Sequence, residues 1–436
     1  MRVSFYTLGC KVNQNETGAL MELFRQNGYT LAEDGQEADV YIVNSCTVTA
    51  GGDRKSRQWL RRAKRQNPGA ITVLTGCYPQ AFPEEAGAVA EADLVTGSAN
   101  RHCILHDIQT VLTTGQRLVH ITPHERGEAF EELPMEKFEG HTRAFLKVED
   151  GCNRQCSYCV IPRARGLVRS RAIESVQEEL RALAHSGYQE AVLAGINLSS
   201  YGKDTGSSLA RLVQACAEVE GINRIRLGSL EPDLLTDDEI ARLATVDKFC
   251  PQFHLALQSG CDATLRRMRR TYSIQQYCEV ADKLRKAFGP KNVSFTTDVI
   301  VGFPGETEEE FQTSMDFVRS FGFLKVHVFP YSSRPGTPAA SFPGHLPEAE
   351  KASRSHRMQA AADAERDILA AEMEGMHEEV LLESALSGTT FTGYTRLYLP
   401  VVVRAPGHKS GDIVPVTVGK WDGQRSAAVP VQAGQP

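Results

Sequence analysis

The chain reads as an α/β protein in three parts. These are a doubly wound N-terminal domain, a partial (β/α)6 TIM-like barrel, and a small C-terminal all-β barrel. Three observations carry that reading. Strand-like and helix-like segments alternate in the first segment and again between residues 143 and 321, the order that builds parallel sheets. A stretch with Pro123, Gly127, Pro134, Gly140 and clustered glutamates interrupts the alternation. After Gly375 the pattern turns to short β-type runs separated by Gly, Asp and Pro. The expected limits are residues 1–116, a linker over 117–141, residues 142–370 and residues 371–436.

In order, residues 3–8 form a strand that ends at Gly9-Cys10, and residues 16–27 have helical spacing with Gly28 as a stop. Residues 39–44 are a buried-type strand ending at Ser45-Cys46, a helix covers 53–66, and residues 71–75 end at Gly76-Cys77. The second part offers strands at 143–148, 190–194, 224–228, 253–257, 293–301 and 324–329. Helices at 173–186, 207–219, 236–245, 274–288 and 306–321 separate them. A long helical stretch at 347–377 precedes β-runs at 379–382, 398–403 and 413–418.

The chain has 436 residues, 41% hydrophobic and 23% charged, which is ordinary globular composition. No apolar run reaches membrane-spanning length, and the first residues lack a signal-peptide pattern, so a cytoplasmic location is expected. Disulfides are rare there, and 11 cysteines then point to metal or catalysis. A net charge of -6 excludes a uniformly basic nucleic-acid binder but leaves room for local basic patches. With no coiled-coil or edge pattern evident, a monomer is expected.

Gly151-Cys152-Asn153-Arg154-Gln155-Cys156-Ser157-Tyr158-Cys159 carries C-x3-C-x2-C with no fourth cysteine close behind. Three thiolates on a four-iron cluster leave one iron open to a substrate. A zinc site is the alternative, although zinc prefers paired C-x2-4-C units and four ligands. Cys10, Cys46 and Cys77 each lie just past a strand end, the edge where open parallel sheets bind ligands. Three such placements favour a shared site over separate buried thiols. The barrel strands end in polar or glycine positions: Gly195 and Asn197, Ser229 and Glu231, Gln258, Asp298 and Gly302. Turn chemistry explains any one of them, but their joint placement at the C-terminal face of a barrel favours a cofactor site.

On these residues the chain resembles the radical S-adenosylmethionine (SAM) methylthiotransferases, a resemblance that covers all three parts. Within that family, Thr7-Leu-Gly-Cys-Lys-Val-Asn-Gln-Asn-Glu-Thr17 is similar to the branch acting on tRNA N6-threonylcarbamoyladenosine. Asn44-Ser-Cys-Thr-Val-Thr49 and Asp53-Arg-Lys-Ser-Arg-Gln58 point the same way. Sister branches modify N6-isopentenyladenosine in tRNA or an aspartate of a ribosomal protein. The resemblance implies a C-terminal TRAM domain and two [4Fe-4S] clusters. One cluster would be held by Cys152, Cys156 and Cys159, with Tyr158 near the SAM adenine. The other would be an auxiliary cluster on Cys10, Cys46 and Cys77 that carries sulfur. It further implies methylthiolation of C2 of the adenosine at position 37, a low-potential electron donor and a sulfur donor. Cys103, Cys216, Cys250, Cys261 and Cys278 match no motif and read as core or surface thiols.

For RNA, Arg54, Lys55 and Arg57 crowd a helix with Arg61, Arg62, Lys64 and Arg65, and Arg163, Arg165, Arg169 and Arg171 follow the triad. A third group, Arg266, Arg267, Arg269 and Arg270, fits a solvated helix face equally well. Such side chains neutralise phosphates, although some could pair with SAM or internal acids. The C-terminal part is more acidic than basic and offers Arg396, Arg404 and Lys409. A non-catalytic iron–sulfur RNA-binding sensor is the reading from another class.

Overall fold

The computed structural model describes residues 1–33, 35–133, 135 and 141–431. The N-terminal sheet is parallel and six-stranded, in the order Thr30–Leu31, Arg2–Thr7, Val40–Ser45, Ile71–Gly76, Leu94–Thr96, Leu118–His120. Val40–Ser45 and Ile71–Gly76 are buried at every position, as central strands covered on both faces require. Helices Lys11–Gln26, Ala50–Gln66 and Ile104–Thr114 cover them. The first starts at Lys11, earlier than Glu16, with Cys10 at the N-cap position and no side-chain capping bond.

The expected linker is not all linker. Leu118–His120 is the sixth strand of the sheet, too short to produce a periodic signal. The acidic residues after it tie the two halves together: Glu131 pairs with Arg101 at 2.9 Å and Glu128 with Arg169 at 2.6 Å. Pro134 and Gly140, also expected in the linker, lie outside the described residues.

The second part is a crescent of parallel strands, Arg143–Lys147, Glu190–Ala194, Arg224–Leu227, Gln252–Leu255, Ser294–Val301 and Phe323–Pro330. Ser229–Leu230 continues the third strand past Gly228 and pairs with the fourth. Phe145, Leu193, Phe253, Leu255, Phe295, Val299 and Val326 belong to one large apolar core. The edge strands Arg143–Lys147 and Phe323–Pro330 do not pair with each other, so the barrel is open on one side. Helix Lys11–Gln26 packs on the first edge strand, and helix Glu348–Glu372 packs on the last.

The C-terminal part closes into a five-stranded barrel, with His377–Ser387, Thr390–Thr395, Pro400–Arg404, Ser426–Pro430 and Ile413–Trp421 as successive neighbours. It covers the N-terminal ends of the crescent strands. Arg226 donates to Arg396 O (3.0 Å) and Thr395 O (3.2 Å), and Ser294 Oγ donates to Leu397 O (2.5 Å). Residues 432–436 of the expected C-terminal domain lie outside the described residues. No described helix is long and apolar enough to cross a membrane.

Candidate active site

The C-x3-C-x2-C loop leaves the first crescent strand and is pinned along its length. Glu149–Asp150 pairs antiparallel with Arg169–Ser170. Cys152 N donates to Gly166 O (3.0 Å), and Ser157 N donates to Met268 O (3.0 Å). Gly151 has φ +88°, and a Cβ there would fall 1.9 Å from Leu167 O, so only glycine allows the chain to turn into Cys152. Arg270 Nη1 lies 3.1 Å from Cys156 Sγ and is itself paired with Glu231. Asn197 Nδ2 lies 3.7 Å from Cys152 Sγ, and its backbone N–H donates to Glu149 Oε2 (2.8 Å). Burial pushes the Cys152 thiol up to about 11 and the Cys159 thiol up to about 12. Ligation, which needs thiolates, must therefore displace protons.

The second triad is set by strand register. Thr7, Asn44 and Thr75 are cross-strand partners, as are Ser45 and Gly76, so Cys46 and Cys77 emerge side by side with Cys10 nearby. Gly76 adopts φ +95°, and a Cβ there would meet Asn44 Oδ1 at 2.4 Å. Asn13 links the thiols: its Oδ1 is 3.3 Å from Cys10 Sγ and its Nδ2 is 3.9 Å from Cys77 Sγ. Val48 N lies 3.5 Å from Cys46 Sγ, and burial raises the Cys46 thiol.

All eleven cysteines are free thiols. Among the described residues no three His, Cys, Asp or Glu side chains close on a single-ion site. Beside Cys152 two buried acceptors, Glu149 Oε1 and Asn197 Oδ1, have no hydrogen-bond partner. Such orphans suit a ligand bearing N–H donors, such as the amino group of SAM.

The two triads are joined by a buried charge network. Glu16, on the helix that follows Cys10, contacts Arg101 (2.9 Å), Lys147 (2.9 Å) and Arg165. Burial alone would raise the Glu16 carboxyl, but these three cations outweigh it and hold the group well below the usual range. Arg165 also donates through Nε to Cys77 Sγ at 3.2 Å. A residue six positions after Cys159 thus touches the other triad.

The sequence-predicted positions divide accordingly. Asn197 reaches the thiol loop, Glu231 pairs with the Arg270 that contacts Cys156, and Gly195 backs onto Glu149, where a Cβ would lie 2.6 Å from Oε2. Tyr158 packs edge-on against Phe303, with ring centroids 6.3 Å apart. Gln258 sits at φ +66°, its backbone bonded to Asp298 and Ile300. The Asp298 carboxylate lies 3.4 Å from His254 Nε2 and Ser229 shares that strand face, both set lower in the barrel. Gly302 packs on Lys351 and donates to Glu306 (2.7 Å), so it shapes its loop.

Of the predicted RNA contacts, Arg165 and Arg171 need correcting. Both are buried, Arg165 in the network and Arg171 paired with Glu179, because internal acids claim them. Arg169 is likewise buried, and Arg396 donates to Phe249 O (2.7 Å) at the domain junction. Arg57 is half-buried and donates to Tyr78 OH (2.9 Å). Arg54, Lys55 and Arg163 stay exposed, Arg163 lying over the Phe82 ring. Sequence reasoning missed Glu149 and the roles of Asn13 and Glu16, and it read Arg270 as an RNA contact or part of a solvated helix face, not as a partner of Cys156 and Glu231. Only the run Lys147-Val-Glu-Asp150, polar where a strand should be apolar, signals any of them.

Residues 146–318 match the Radical SAM superfamily, and residues 2–97 match a family described as uncharacterized protein family UPF0004. The chain is 40% identical over 439 residues to the threonylcarbamoyladenosine tRNA methylthiotransferase MtaB of Bacillus subtilis, covering 99% of this chain and 96% of the relative. It is 35% identical to the tRNA-2-methylthio-N(6)-dimethylallyladenosine synthase of Clostridium novyi, over 89% of this chain and 88% of the relative. The fold resembles the radical S-adenosylmethionine methyltransferase TsrM from Kitasatospora setae, solved with cobalamin and a [4Fe-4S] cluster. The TM-score is 0.54 at 14% identity, over 78% of this chain and 77% of that one.

Proposed function

The chain belongs to the radical SAM methylthiotransferase family, and we propose that it methylthiolates C2 of N6-threonylcarbamoyladenosine at position 37 of tRNA. Its cofactors are S-adenosylmethionine and iron–sulfur clusters. We assign one [4Fe-4S] cluster to Cys152, Cys156 and Cys159 and a second to Cys10, Cys46 and Cys77. When bound, these groups supply the radical and the methylthio sulfur. The observation that carries the reading is the contact of Arg165 with Cys77 (3.2 Å), which brings the end of one cysteine loop onto the other triad.

The chain's own work is placement. The network on Glu16 fixes the second triad over the C-terminal ends of the crescent strands, and Arg270 and Asn197 hold the first. Tyr158, Asn197 and Glu231 are assigned to SAM. Exposed Arg54, Lys55 and Arg163 position RNA phosphates without reading sequence. An adenosine beside the anticodon is single-stranded, where a base can be splayed into a protein site. The first two parts hold the clusters and the terminal barrel is assigned as a TRAM domain. A low-potential electron donor and a sulfur donor complete the cycle.

The test is a nucleoside assay by mass spectrometry. Reconstituted protein is mixed anaerobically with methyl-labelled SAM, a low-potential reductant, and tRNA with or without the threonylcarbamoyl group. Labelled 2-methylthio product from the threonylcarbamoylated tRNA alone supports the proposal. Product from isopentenylated tRNA, as the names of the 35% identical relatives would have it, overturns the branch assignment.

A further inference from the structure

The inner face of the open barrel carries a polar ladder that neither thiol triad uses. Strand register puts Ser229, His254, Thr296 and Lys325 in one row across the sheet, with Asp298 beside His327 in the next and Ile300 beside Phe329 above. The alternate residues Phe253, Phe295, Val299 and Val326 face the apolar core on the other side, so this row faces the barrel interior. Ile300 and Tyr158 pack against the same apolar group, that of Phe303 and Tyr331, so the ladder descends from the thiol loop. A second lysine enters from the opposite wall. Asn15 donates to Phe145 O on the first crescent strand (2.5 Å), and Lys11, four residues earlier, shares its helix face.

These two lysines are unlike the other interior cations. Arg143 is paired with Glu383 (2.9 Å), Arg226 with Glu190 (3.1 Å) and Lys147 with Glu16 (2.9 Å). Among the described residues neither Lys11 nor Lys325 has an ion-pair or side-chain hydrogen-bond partner. Of the nearby carboxylates, Asp298 is committed to His254, and Glu190, close to Lys11, is committed to Arg224 and Arg226. Both lysines are close enough to His327 to act on its charge. Phe329, 44% exposed one step above His327, offers a ring to a nucleobase at the mouth.

We propose that this interior is the pocket for an anionic substituent on the target nucleotide, with Lys325 and Lys11 as specificity-determining residues that bind its carboxylate. The inference rests on the threonylcarbamoyladenosine reading, whose substituent ends in a carboxylate. An isopentenyl substituent is apolar and would leave two ammonium groups desolvated without a partner.

The test is binding of anticodon stem–loop RNAs to the reconstituted protein, followed by fluorescence anisotropy. The RNAs carry threonylcarbamoyladenosine, its threonyl methyl ester, or plain adenosine at the target position. The wild type is expected to bind the free acid roughly tenfold or more tighter than the ester, the scale of a charge-assisted hydrogen bond. Lys325→Met and Lys11→Met should each narrow that gap, while Lys325→Arg keeps it. The acid–ester comparison needs no variant and so does not depend on a variant folding. No gap in a wild type that methylthiolates threonylcarbamoylated tRNA overturns the inference alone, as does a gap that both methionine variants preserve. A wild type that makes no product from that tRNA overturns the functional reading as well.

Discussion

At the scale of single residues, the two cysteine triads are proposed to have different jobs. Cys156→Ala should abolish SAM cleavage, whereas Cys46→Ala should spare cleavage and abolish thiolation; 5′-deoxyadenosine and 2-methylthio nucleoside are measured in parallel. Equal cleavage by Cys156→Ala and wild type would contradict the assignment. The glycines before two of the ligands are as constrained as the ligands themselves. Gly151→Ala would press a Cβ onto Leu167 O from a left-handed backbone, at 1.9 Å, so iron content after reconstitution should fall by about one cluster's worth. Retention of full iron would show that the loop can turn another way. The six cysteines assigned as ligands are legible in the sequence because spacing and strand ends are local properties. Arg165 and Arg171 read as RNA contacts because a positive charge in a sequence does not reveal which distant acid will bury it. The acids are Glu16, 149 positions away, and Glu179.

At the scale of elements, the long helices and the six crescent strands are readable from periodicity. The short pieces are not. Leu118–His120, Leu94–Thr96 and Thr30–Leu31 have too few residues for a period and exist because neighbouring strands supply their partners. In the terminal barrel, Thr390–Thr395, outside the expected β-runs and interrupted by Gly393, pairs on both sides. Helix Lys11–Gln26 is the element on which most depends, since Cys10 directly precedes it and Asn13, Asn15 and Glu16 all project from it. Glu16→Gln leaves Arg101, Lys147 and Arg165 short of a counter-charge in a buried site. The expected loss is about 3–5 kcal/mol of stability, read from denaturant unfolding of the cluster-free chain. A loss under about 1 kcal/mol would mean that water reaches the junction.

At the scale of the whole molecule, the net charge of -6 is compatible with RNA binding because the free cations are concentrated, not spread. Arg54 and Lys55 are exposed on the helix that follows Cys46, while Arg165, Arg169, Arg171 and Arg270 of the predicted patches serve internal pairs. Arg54→Ala with Lys55→Ala should weaken tRNA binding whatever the state of position 37. The slope of log Kd against log salt should fall by roughly one for each phosphate that the variant no longer neutralises. An unchanged slope would move the RNA path elsewhere.

The measurement that bears most directly on this account is iron and sulfide content, with electron paramagnetic resonance, on anaerobically reconstituted protein. It is made on the wild type and on two triple variants, one with Cys10, Cys46 and Cys77 changed to alanine and one with Cys152, Cys156 and Cys159 changed to alanine. Two four-iron clusters in the wild type and one spectroscopically distinct cluster in each variant is the predicted result. A single cluster in the wild type, or both clusters lost when either triad is removed, would contradict two independent sites.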